Sequence, residues 1–209
     1  LGAQYIRRLL LVGTPNLGTL QSVLSLIRGE DIGLRKIPTE IVCTTTGAPQ
    51  LMLHPSIPWL IDIKGNIVDV DLFDIDTWRQ FKWSIFDDRI RNRVRQAKGG
   101  SMAGERYLDV LELYLAKHLS RGRNFMTLMA TESGPDDVVP YVFGGDCEST
   151  LARIVVEEVR GKMLPRERPV AIENPLADID YDRLMYDPGD SVVTRASLLG
   201  RCEQSPYSR

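Results

Sequence analysis

The sequence has little cysteine, histidine or net charge, and it has no long apolar run. Its three cysteines, Cys43, Cys147 and Cys202, are odd in number, far apart and without a C-x-x-C pair. That argues against a disulfide framework or a cysteine-based zinc site, and it favours a reducing, cytoplasmic setting. The two histidines, His54 and His118, lack metal-ligand spacing, and no Gly-rich dinucleotide loop is present, so no metal, nucleotide or flavin cofactor is implied. A formal net charge of −2 and a pI of about 5.8 provide no general attraction to nucleic acid or anionic membrane. No apolar run approaches the roughly 18 residues of a membrane-spanning helix. Leu1, not Met, comes first, and an apolar stretch begins almost at once. The sequence therefore reads as a piece of a longer chain, and the lack of a leader peptide says nothing about compartment.

What is present is a composition of 43% hydrophobic and 26% charged residues over 209 positions, enough for one substantial core. Residues 6–18 organise the rest. Leu9, Leu10, Leu11 and Val12 form an unbroken apolar run that stops at Gly13-Thr14-Pro15, the pattern of an interior parallel strand with neighbours on both sides and a sharp exit. Thr19 is a predicted N-cap, and Leu20, Val23, Leu24 and Ile27 mark one face of a helix that Gly29 ends and that should pack on the sheet.

Over residues 34–122 strand patterns vanish and short helices alternate with Pro- and Asp-rich loops, including a predicted helix over 39–53. Trp78, Phe81, Trp83 and Phe86 gather here, so the block reads as an inserted, mostly helical cap. Arg89, Arg91, Arg93 and Arg95 suggest a phosphate stripe, but at 100° per residue they fall on opposite flanks of an apolar line through Phe86, Ile90 and Val94. That is an amphipathic helix with solvated basic edges, and no nucleic-acid partner follows from it. A second helix runs from 101 to a predicted stop at Gly122, with His118 packing or capping its last turn. Strands are predicted at 125–130, 138–143 and 150–158, with a hairpin return through Gly161 toward 169–172 and a last helix ending at Leu199.

Gly13-Thr14-Pro15-Asn16-Leu17-Gly18 after an apolar strand resembles the segment that follows the nucleophile strand and helix in α/β-hydrolase lipases, in the branch related to lecithin:cholesterol acyltransferase. Residues 46–55 and 71–78 resemble the cap of the same branch. Residues 188–198, with Gly189-Asp190-Ser191-Val192-Val193 and Ser197-Leu198, resemble its G-D-G-T-V…S-L segment, Ser191 standing in place of the second glycine. The resemblance implies that Asp190 is the acid that orients the catalytic histidine. Asp146 is the runner-up, a loop aspartate after the apolar strand ending at Phe143.

A serine hydrolase of this kind needs a serine on a strand-to-helix elbow, then an acid, then a histidine. The nearest elbow pattern, Gly99-Gly100-Ser101-Met102-Ala103, follows a polar stretch, lies after the opening motif rather than before it, and suits a helix N-cap. No histidine follows Asp190. The expected fold is thus a partial α/β-hydrolase: residues 1–33 and 123–200 form the second half of a mainly parallel sheet, 34–122 an inserted helical cap, and 201–209 a tail. The resemblance implies a lipase, esterase or acyltransferase acting on a small-molecule acyl ester or lipid, with Trp78, Phe81, Trp83 and Phe86 lining the acyl site and the nucleophile and histidine outside this sequence. The alternative is a non-catalytic interaction module on the same scaffold.

Overall fold

The structure, a computed structural model, describes residues 5–130 and 138–200; the expected tail 201–209, with Cys202, lies outside the described residues. The chain opens with β1 (Arg8–Val12) and, after the Gly13–Gly18 turn, α1 (Leu20–Arg28). Thr19 caps α1, its Oγ1 accepting from the Gln21 N–H at 2.9 Å, and Gly29 ends it at φ +86°. A hairpin follows, β2 (Glu30–Ile32) and β3 (Arg35–Ile37), then two one-turn helices, α2 (Thr39–Val42) and α3 (Gly47–Gln50). The single helix expected over 39–53 breaks because Thr44 and Thr45 turn their hydroxyls back onto the Ile41 and Val42 carbonyls, each at 2.7 Å, offering the backbone an alternative to helix.

Next come β4 (Leu60–Asp62), α4 (Ile75–Gln80), α5 (Asp88–Ala97) and the 30-residue α6 (Ser101–Ala130). Helix α6 passes through Gly122, so the predicted stop there and the strand predicted at 125–130 are both replaced by helix. Gly122 serves packing instead: a Cβ on it would come within 2.4 Å of the Pro49 carbonyl oxygen. The last part of the chain carries β5 (Val139–Phe143), β6 (Glu148–Leu151), β7 (Ile154–Val159), β8 (Lys162–Arg166), α7 (Tyr181–Met185), β9 (Tyr186–Gly189) and α8 (Arg195–Leu199). The strand expected over 150–158 is split at Ala152-Arg153, whose N–H groups both donate to the Met185 carbonyl. The hairpin through Gly161 forms, but its return arm is β8, and 169–171 is a single 3₁₀ turn.

The fold mixes helices with small sheets. Among the described residues the strands form four sheets, with parallel pairs β1–β5 and β4–β7 and antiparallel pairs β2–β3, β6–β9 and β7–β8. β1 is paired on one side only, by β5, with Leu10 opposite Tyr141. The expected second neighbour is not among the described residues, and Leu9, Leu10 and Val12 are 42%, 64% and 72% exposed. Helix α1 does not cover them. It buries Val23, Leu24 and Leu26 in the main core, with Leu60 of β4 and Ile154 and Val156 of β7.

That core crosses the expected boundary between cap and sheet. It joins α1, the aromatic residues of 59–86, the α6 residues Leu108, Leu111, Leu115 and Leu119, and β7. Strand β4, from the expected cap, hydrogen-bonds to β7, from the expected sheet part, and α6 runs across position 122. Helix α5 buries Ile90 and Val94, while Arg91 and Arg95 pair with Glu105 and Arg93 with Glu40. Among the described residues no helix is long and apolar enough to cross a membrane.

Candidate functional site

The carboxyl ends of β1 and β5 are where a parallel pair presents loops able to carry function. Gly13 extends the pairing by one bond, its N–H donating to the Phe143 carbonyl at 2.8 Å, and the chain then turns through Pro15 to Gly18. Gly18 has φ +77°, and a Cβ there would lie 2.0 Å from the Met52 carbonyl oxygen, so the close approach of the two backbones requires glycine.

Helix α8 is tied to this turn from the far end of the sequence. Asn16 donates from Nδ2 to the Leu198 carbonyl at 2.6 Å, the Leu17 N–H donates to the Ser197 carbonyl at 3.2 Å, and the Ser197 hydroxyl donates to the Gly18 carbonyl at 2.5 Å. On the β5 side, Leu198 fills the space beside Gly144, where a Cβ would meet it at 2.3 Å. Thr194 caps α8, accepting from the Ser197 N–H at 3.2 Å. A threonine ahead of the Ala196-Leu198-Leu199 segment is the sequence signal for that helix start.

Between β9 and α8 runs the loop that carries Asp190. Its Oδ1 accepts from the Val192 and Val193 N–H groups at 3.0 and 2.7 Å, and its own N–H donates to the Val193 carbonyl at 3.2 Å. Oδ2 lies on the side of Gly13, 3.8 Å from where a Cβ on that glycine would stand, and accepts no hydrogen bond among the described residues. Gly145 borders the same side chain. Ser191, at φ +77°, holds the left-handed corner of the loop, and its N–H donates to the buried Thr150 hydroxyl at 2.9 Å. Gly189 has no room for a side chain, since a Cβ would fall 2.3 Å from the Val193 carbonyl oxygen and 2.5 Å from Thr150 Oγ1. Thr150 is therefore a supporting residue of this loop, and nothing in its sequence surroundings signalled it.

Asp146 leaves β5 through Gly144-Gly145 and sits in the same neighbourhood, but in a different setting. Its side chain is exposed and pairs with Arg195 at 3.5 Å, and the Cys147 thiol approaches its Oδ1 at 3.7 Å. The two aspartates considered for the acid thus share one end of the molecule, one anchored by backbone N–H groups and one facing solvent.

Trp78, Phe81, Trp83 and Phe86 lie elsewhere. All four are buried, Trp83 stacking on Phe81 at 4.5 Å and meeting Trp59 and Trp78 edge-on at 5.9 and 6.3 Å. Trp78 Nε1 donates to the Leu72 carbonyl at 2.8 Å. A cavity of about 150 Å³ lies beside the Asp190 loop, under Val192 and Thr194, and none of the four aromatics lines it. They belong to the main core, where the rings pack on one another, each such pair contributing about 0.5–1.5 kcal/mol beyond area burial.

Ser101 opens α6 directly after α5, with no strand leading into it, so it is not presented on an elbow. His118 is not in the last turn of its helix, because α6 continues three turns further, and the dipole argument for a cation there lapses. It is buried with neither ring nitrogen well bonded, and its pKa is lowered by burial, then by Arg121 and Lys117, against an opposing contribution from the Thr44 backbone. Among the described residues no group of three or more His, Cys, Asp or Glu side chains is arranged to hold a metal. No protein-family model and no curated protein matches the chain.

Proposed function

We propose that the chain is part of an α/β-hydrolase of lipase, esterase or acyltransferase type, with Asp190 as the acid of a Ser-His-Asp triad. The observation that carries this reading is the contact between two motifs more than 170 residues apart. The Gly13–Gly18 turn and the 188–198 segment, each of which resembles the same hydrolase branch, are hydrogen-bonded together at the carboxyl end of a parallel strand pair.

The geometry at Asp190 suits the role. Two backbone N–H groups hold Oδ1 and fix the carboxylate plane, leaving Oδ2 to accept the Nδ1 proton of a histidine, hold its tautomer and stabilise the imidazolium. Asp146 is less suited, since it is solvated and already paired with Arg195. The reading requires a nucleophilic serine from sequence before Leu1 and a histidine from sequence after Arg209; attack on an ester carbonyl then passes through an acyl-enzyme. It also requires further strands beside β1, which would cover the apolar side chains that the described residues leave in water.

The test is turnover of a short-chain chromogenic ester by the full-length protein, with a fluorophosphonate probe reporting serine labelling. Asp190→Asn is expected to lower turnover about 10⁴-fold with little change in stability, because a carboxamide disfavours the productive histidine tautomer. Asp146→Asn is expected to leave turnover within about threefold, as for a residue outside a triad. If Asp146→Asn is the crippled variant, the acid is misassigned. If the wild type neither turns over ester nor labels, the non-catalytic scaffold is the better reading.

A further inference from the structure

A cavity of about 460 Å³ lies away from Asp190, where the β7–β8 hairpin faces the turn between α4 and α5. Its apolar wall includes Ile27, Phe81, Trp83 and Leu164, and a volume of this size accommodates a small organic ligand. Six basic side chains line it. Three are engaged within the chain: Arg28 pairs with Glu167 at 2.7 Å, Lys82 with Asp88 at 3.6 Å, and Arg93 makes a two-pronged bond to Glu40 at 2.9 and 2.6 Å. The other three, Lys36 on β3, Arg89 on α5 and Lys162 on β8, are exposed and have no carboxylate partner among the described residues. The acidic lining offsets them only in part: Asp87, whose Oδ1 caps α5 by accepting from the Arg89 and Ile90 N–H groups, and Asp88, which faces Lys82, stand against six basic side chains.

A second feature coincides with the first. The turn that forms one wall holds two non-glycine residues in the left-handed region, Lys82 at φ +53° and Ser84 at φ +57°. In the same turn Trp83 Nε1 and Ser84 Oγ are buried without a hydrogen-bond partner among the described residues. Left-handed backbone at non-glycine residues and unsatisfied buried polar groups are each costly and uncommon in native structures; the first clusters at ligand clamps and other functional sites, and the second marks the same turn as strained.

We propose that this cavity binds an amphiphilic organic anion, its carboxylate-like head among Lys36, Arg89 and Lys162 and its apolar body against Ile27, Phe81 and Trp83. The inference is independent of the hydrolase reading, since none of these residues belongs to the Asp190 loop. The basic rim selects the charge of the ligand, and the aromatic wall excludes a bare inorganic ion as the best fit.

The test is calorimetric titration of the full-length protein with dodecanoate below its micelle concentration, followed in parallel by tryptophan emission, since Trp83 lines the cavity and Trp59 and Trp78 pack edge-on against it. Dodecanoate is expected to bind with one-to-one stoichiometry, to weaken as salt is raised, and to perturb the emission. The combined Lys36→Gln, Arg89→Gln, Lys162→Gln variant changes exposed side chains only, melts like the wild type, and weakens binding at least tenfold. The combined Lys64→Gln, Arg106→Gln, Lys117→Gln variant, with the same charge change outside the cavity, leaves it unchanged. Equal loss in both variants, equal affinity for dodecyltrimethylammonium or inorganic phosphate, or no binding of dodecanoate would each overturn the proposal.

Discussion

Two parallel strand pairs in this molecule have similar sequences and opposite surroundings. β4 and β7 meet over Leu60, Ile61 and Asp62, opposite Ile154, Val155 and Val156. One face of that pair, with Leu60, Ile154 and Val156, joins the main core; the other, with Ile61 and Val155, joins a second cluster with Ile172, Tyr181 and Met185. β1 is at least as apolar, yet Leu9, Leu10 and Val12 are exposed, and Tyr141 and Phe143 of its partner are exposed with them. An apolar run therefore records a demand for cover on both faces, and whether the cover is present depends on what other segments reach it.

The largest expected difference between the pairs is in stability. Ile154→Ala removes a fully buried side chain between packed neighbours and is expected to cost about 2–5 kcal/mol in chemical denaturation. Leu10→Ala in the 209-residue chain should cost within about 0.5 kcal/mol, as for an exposed position. In a longer chain that supplies neighbours to β1, as the hydrolase reading requires, the Leu10→Ala cost should rise into the range of Ile154→Ala. If it stays small there, β1 is a bare edge and that reading loses a requirement.

A smaller effect separates the pairs electrostatically. Glu157 on β7 is buried, accepting from the Glu173 and Asn174 N–H groups at 3.0 and 2.8 Å, from Asn174 Nδ2 at 3.1 Å and from Arg166 Nε at 2.8 Å. Burial by itself raises its pKa, but these bonds together hold it below the ordinary value of 4.5. A carboxylate lowered in this way stabilises the fold fully above its unfolded pKa, and the contribution is lost as the pH falls through the lower, folded value. Glu157→Gln is expected to cost about 2 kcal/mol at neutral pH. Denaturation measured from pH 7 into the acid range should show the gap to wild type narrowing below the carboxylate pKa; a constant gap would mean that the charge contributes nothing.

The smallest effect belongs to the β1–β5 end. Ser191 occupies a left-handed corner that glycine adopts without strain, so Ser191→Gly is expected to raise stability by up to about 1 kcal/mol, read as a small increase in Tm. A loss of stability would mean that the serine side chain holds the Asp190 loop by more than its backbone.

Much of the local structure was legible in sequence. Helix α1 starts at its threonine cap and ends at its glycine, α5 presents the apolar line through Ile90 and Val94, and α8 ends at Leu199, because caps and helical periodicity act within one or two turns. The Gly161 turn and the Gly189-Asp190 loop were visible for the same reason. Three-residue strands such as β2, β3 and β4 were not, since they are too short for alternation to register and depend on partners.

By itself, the sequence determined where apolar faces, caps and turns fall, for those follow from residues within a few positions of one another. The tertiary structure decided which faces were covered and what each marked residue does. It turned Gly122 from a stop signal into a contact with Pro49 and passed α6 straight through. It drew Trp78, Phe81, Trp83 and Phe86 into the main core, away from Asp190, and it placed Asp190 beside Gly13 at the end of β1. Each of these outcomes depends on a segment distant in the chain, and burial is a property of the assembled neighbours that no local pattern contains.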